Sequence, residues 1–120
     1  MMVYPERSAF TRAAEIIRSQ GFTPKSPCSV DEQGSLHLCA AAALAAAGLE
    51  LHKGVAARSQ FEEKIGQLRQ SKIVHDAFDE LGWDRVVCDR VFQKNDLFSD
   101  ASRTTAVLGM FSSDQHPQWP

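Results

Sequence analysis

Between Cys39 and Gly48 the chain holds seven alanines and one leucine, Leu44. Alanine is the strongest intrinsic helix former, so the stretch predicts a helix, and one with almost no side-chain bulk. A helix at the surface would interleave charged or polar residues, and none occurs from Leu38 to Leu49. Being apolar all round, it has to be buried, and its methyl-lined wall lets neighbouring backbones come close. The expectation is a central helix over residues 39–48, packed against the first helix and a hairpin and stopped by Gly48. The apolar run of twelve residues falls short of the roughly 20 that cross a bilayer, which excludes a membrane span.

A buried helix needs a domain around it, and 120 residues suffice: a compact fold of that length buries about two thirds of its unfolded surface. With 43% hydrophobic and 23% charged residues, a disordered or fibrous chain is excluded. A net charge of −2 gives no general attraction to nucleic acid or anionic lipid. No repeat or low-complexity tract divides the sequence, so residues 1–120 read as a single domain with an ordered core over about 8–112 and a frayed polar tail at 113–120. The segment Met1 to Arg7 lacks the apolar core of a signal peptide, and three cysteines are an odd number. Together they predict reduced thiols and a cytoplasmic protein.

The first helix enters through Pro5 or Ser8, buries Phe10, Ala13, Ala14 and Ile17, and stops at Gly21. Phe22 to Pro27 is a connector kept extended by its prolines. Asp31-Glu32-Gln33-Gly34 then fits a hairpin loop of three residues closed by a left-handed glycine. That loop sets Val30 opposite Leu36 and Cys28 opposite Leu38, all on one face. A two-residue loop would split the apolar set, so the register is fixed by agreement between turn and pattern. Ser29, Asp31, Ser35 and His37 fall on the opposite face, joined by Cys39 if the strand extends that far.

Beyond the alanine helix, Glu50 to Arg58 reads as a loop, and Ser59-Gln60-Phe61-Glu62 as a capping box opening a helix that buries Phe61, Ile65 and Leu68. Ser71 caps a further segment with Val74, Ala77, Phe78 and Leu81 on one face, ending at Gly82. Trp83 to Phe92 fits a strand or an Asp84-capped helix equally. Asn95-Asp96 marks a turn, and Asp100 or Ser102 caps a last helix facing inward through Thr104, Val107, Leu108 and Phe111.

The order of Ala13-Ala14-Glu15-Ile16-Ile17, Gly21-Phe22, Asp31-Glu32-Gln33-Gly34, Cys39-Ala40-Ala41-Ala42-Ala43-Leu44, Leu81-Gly82-Trp83, Asn95-Asp96, Arg103-Thr104 and Val107-Leu108 resembles a bacterial and phage family of unknown function, DUF6197. The resemblance spans about residues 10–112. It implies a helix before an Asp-x-x-Gly hairpin, a cysteine opening a small-residue helix, and an Arg-Thr-capped last helix. Cys39, Asn95, Asp96, Arg103 and Thr104 match that pattern. Lys94 stands where the family pattern has an aromatic residue, and the segment from Arg85 to Gln93 is longer. No activity comes with the resemblance.

Cys39 stands where a strand passes into a helix, a place where unpaired N–H groups lower a thiol's pKa. With His75 as base and Asn95 or Asp96 to orient it, Cys39 would be the nucleophile of a hydrolase or transferase. The plain alternative is a small buried core residue. His37 and Cys39, with Cys28, His52, His75 and Cys88 elsewhere, follow no metal-binding spacing, so no metal is expected. Lys72, Asp76 and Asp79 read as a charge-paired solvated face rather than an acid–base set. Arg103 and Thr104 could hold an anion at the last helix's N-terminus or pin a loop. The glycines form no phosphate loop, and acidic residues interrupt the basic stretch Arg85, Arg90 and Lys94.

The sequence therefore predicts a mainly helical α+β domain with one hairpin on a central alanine-rich helix. The functional expectation is a small cytoplasmic accessory protein, phage-borne or mobile-element-borne, without cofactor or catalysis, that binds another macromolecule, a protein, through exposed aromatics such as Trp83, Phe92, Phe98 and Trp119. The competing expectations are a Cys39-dependent enzyme and an anion or small-ligand sensor at Arg103 and Thr104.

Overall fold

The computed structural model describes residues 5–24, 28–68, 71–97 and 101–112. In chain order they form α1 (Arg7–Gln20), β1 (Cys28–Val30), β2 (Leu36–Leu38), α2 (Ala40–Lys53), α3 (Val55–Leu68), α4 (Ser71–Leu81), α5 (Arg85–Leu97) and α6 (Ala101–Ser112). The architecture is the mainly helical α+β arrangement expected, six helices and one antiparallel hairpin among the described residues. Among these residues no helix is long and apolar enough to cross a membrane.

Every residue of α2 from Ala40 to Leu49 is buried. Helices α1, α3, α4 and α5 and strand β2 all pack on it, and α6 lies along α1. Because α2 offers little beyond methyl groups, Leu44 and Leu49, most of the bulk of the core comes from its neighbours: Ile16 and Ile17 from α1, Val74 and Phe78 from α4, Val91 from α5 and Leu108 from α6. Phe10, Ala13, Ala14 and Ile17 of α1 are buried as their spacing predicts.

The hairpin has the expected register, Cys28 opposite Leu38, Ser29 opposite His37 and Val30 opposite Leu36. Gly34 adopts the left-handed φ of +82°, which a residue with a Cβ reaches only at a cost. The apolar face is sealed only at its root. Cys28 and Leu38 are buried, Leu36 is half-buried, and Val30 remains 43% exposed. The connector contributes a parallel bridge to β2: Leu38 N–H donates to Gly21 O and Thr23 N–H to Leu38 O, both at 3.2 Å.

Gly48 does not stop α2. The helix continues to Lys53, and Gly54 ends it with an N–H donated to the Glu50 carbonyl. What Gly48 provides is space, since a Cβ there would lie 2.1 Å from Cη2 of Trp83 and 2.4 Å from its Cζ2. The indole occupies the volume a side chain would need. Trp83 is consequently a core residue, 3% exposed, and not the surface anchor expected of it. The end of α4 delivers it there: Trp83 N–H donates to Phe78 O and Gly82 N–H to Asp79 O, both at 3.1 Å. These are the paired bonds of a Schellman motif, and the apolar contact that accompanies such motifs is Phe78 against Trp83, ring centroids 6.0 Å apart.

Three further boundaries depart from expectation. Glu50 to Arg58 is almost wholly helical, because the Gly54 carbonyl accepts from Arg58 N–H and starts α3 at once. Ser59 therefore lies inside α3, where its hydroxyl donates back to the Val55 carbonyl at 3.3 Å instead of capping. Between the two readings of Trp83 to Phe92 the helix prevails: Asp84 Oδ1 accepts from Val86 N–H at 2.9 Å, and Cys88 and Val91 turn into the core while Val86 faces out. Once begun, α5 continues to Leu97, so Asn95 and Asp96 are helical and mark no turn. Ser71 opens α4 as its spacing predicts, whereas Ser102 lies within α6 and accepts from the Thr105 hydroxyl through its carbonyl. Asp100, Phe98 and Trp119 lie outside the described residues.

Candidate functional site

The thiol of Cys39 is where the sequence puts it, at the N-cap of α2, and it is wholly buried. Its Sγ accepts from the Ala42 N–H at 3.3 Å, the role a serine or threonine hydroxyl takes at other helix starts. A substrate has no path to it. His75 is engaged elsewhere. Its ring lies edge-on to Phe78, centroids 6.1 Å apart, and tilted against Phe92 at 6.5 Å. Arg85 Nη2 stands 3.1 Å from His75 Nδ1, and Asp89 Oδ1 stands 3.8 Å from the same nitrogen. The structure joins Cys39 to a backbone amide, and His75 to Arg85 and Asp89. Asn95 and Asp96 belong to the last turn of α5, and their side chains lie outside the description.

The other thiols are equally inaccessible: Cys28 and Cys88 are buried, and none of the three is in a disulfide. Burial pushes the Cys88 thiol up to about 12, with Asp89 and Asp84 adding to the effect. His37 is taken into the hairpin, its Nε2 3.0 Å from Asp31 Oδ2. Among the described residues no group of three or more histidine, cysteine or acidic side chains gathers as a metal site would require. At α6, Arg103 is exposed and Thr104 buried, so only Arg103 presents itself to solvent. Phe92 is half-buried against the core.

What the sequence does not reveal is a cleft of about 440 Å³ between α3 and α4, within the size range of ligand and side-chain pockets. One wall is the α3 stripe Ala57, Gln60, Phe61 and Lys64, and the other the α4 stripe Ile73, Asp76, Ala77 and Glu80. Each set has i, i+3, i+4, i+7 spacing, so each is one face of its helix over two turns. Leu49 and Lys53 of α2 complete the lining. Helices α3 and α4 each pack on α2 more closely than on one another, which is why the cleft stays open. Its floor is apolar and its rim charged. Lys53 pairs with Glu80 across the α2–α4 edge, and Lys72 Nζ lies 2.9 Å from Asp76 Oδ2, the charge-paired pattern expected of α4.

The fold and cleft define a class: a small, mainly helical α+β domain with an open groove and buried thiols. Comparison with family models, curated proteins and solved structures returns no match.

Proposed function

We propose that the chain is a small cytoplasmic accessory protein that performs no chemistry and acts by binding another macromolecule through the α3–α4 cleft. The observation that carries this reading is the cleft itself, an apolar floor of Ala57, Phe61, Ile73 and Ala77 under a rim of charged side chains. Apolar centres ringed by polar groups are the usual anatomy of a protein contact. Burial of all three cysteines supports the non-enzymatic half. The anchoring role expected of Trp83 and Phe92 passes to the cleft, because Trp83 is used by the core and Phe92 is half-buried, while Phe98 lies outside the described residues.

Photo-crosslinking in the native cell tests the proposal. A photoreactive residue replacing Gln60, on the cleft rim, should give discrete adducts, whereas one replacing Arg90, on the exposed side of α5, should give none. The Gln60 adducts should vanish when Ala57→Trp fills the cleft. Equal labelling from both positions, or adducts indifferent to Ala57→Trp, overturns it.

A further inference from the structure

We infer that the occupant of the cleft is an acidic amphipathic helix of a partner protein, an inference that rests on the cleft being a docking surface. The shape argues for a helix. Both walls are helical stripes two turns long, about 11 Å at 1.5 Å per residue, which is the length over which a third helix would seat residues i, i+3 or i+4, and i+7. Backbone chemistry argues the same way. The walls are helices whose amides are satisfied internally, so an extended segment would find no ladder for its own N–H and C=O groups. A helix arrives with its own already paired.

The charge of the occupant follows from the rim. Glu80 is taken by Lys53 and Asp76 by Lys72. Lys64, exposed at the rim, has no ion-pair partner among the described residues. Lys53 of α2 reaches Glu80 near the C-terminal end of α4, so α3 and α4 run antiparallel. Lys64 therefore stands at the opposite end, where α3 leads into α4. The uncompensated charge is positive and sits at one end of the groove. A partner carboxylate one turn beyond the apolar anchors would meet it, while a lysine there would be repelled.

A displayed library of helix-stabilised 14-residue peptides, with Leu fixed at positions i and i+4 and the flanking turns randomised, tests both the shape and the sign. The full chain should enrich peptides carrying Asp or Glu in the turn beyond the leucines. Resynthesised, these should bind at least ten-fold more tightly than their Lys counterparts by fluorescence anisotropy, and that preference should collapse or invert with Lys64→Glu. A central proline in the peptide should weaken binding ten-fold or more. Ala57→Trp and, independently, Gln60→Trp should abolish it, with far-ultraviolet circular dichroism confirming that each variant folds. Peptides that need the open cleft but show no acidic preference, or tolerate the proline, overturn this inference and leave the cleft reading standing. Absence of any peptide sensitive to the two cleft-filling variants overturns both.

Discussion

Gly48 shows how one hydrogen atom in place of a side chain decides the packing of the core. By local propensity, Gly48→Ala should stabilise a helix interior by about 1 kcal/mol. Here the added methyl would sit 2.1 Å from the Trp83 ring, which is itself locked by Phe78 and the α4 terminus. Overpacking of this kind costs about 1–3 kcal/mol, so the net effect expected is a loss, not a gain. Urea unfolding of Gly48→Ala should show a lowered midpoint, and a raised one contradicts the packing described. Nothing near Gly48 in the sequence announces this. A glycine after an alanine run looks like a helix stop, and the residue that reverses the meaning, Trp83, is remote in the chain. Cys39 was legible in part: its place at a helix start could be read, but its burial depends on what surrounds it.

At the scale of elements, the hairpin was legible throughout because two independent signals converged, the loop length and the alternation of Cys28, Val30, Leu36 and Leu38. Asp31 holds the loop. Its Oδ1 accepts from Ser35 N–H at 2.8 Å and Gln33 N–H at 3.0 Å, and Oδ2 meets His37. The Ser35 amide above all, with His37 and the Gln33 amide, holds its carboxyl below the usual carboxylate range. A depressed folded value means that this contribution is present above the unfolded pKa, about 3.9, and is lost as pH falls through the lower folded value. A carboxyl-carbon NMR titration should place the Asp31 midpoint below that of an unstructured peptide. In Asp31→Asn the corresponding part of the acid dependence of stability should disappear. The bounds of α4 were legible from Ser71 to Leu81, whereas α3 begins at Val55 and not at the Ser59 cap, and the outer face of α4 was ambiguous. The stripe Lys72, Asp76 and Ile73, Ala77 looks the same in sequence whether it faces water or a groove, and only the wide seating of both helices on α2 decides which.

For the whole molecule, the alanine run predicted a central helix, and the observed burial of Ala40 to Leu49 agrees. The order in which the chain becomes structured follows from the same feature. At 14 residues, α2 is near the length at which alanine-rich helices begin to persist in water unaided. Its neighbours carry less alanine and gain more of their shape from packing. The surface on which α1, α3, α4 and α5 assemble is thus the one with most structure before assembly begins. Ala46→Gly should therefore slow folding in stopped-flow chevrons and leave the unfolding arm nearly unchanged, while Val91→Ala in α5 should chiefly speed unfolding. A folding arm unmoved by Ala46→Gly would contradict this. The element with the least side chain to offer is then the one that sets the pace at which the rest of the chain finds its place.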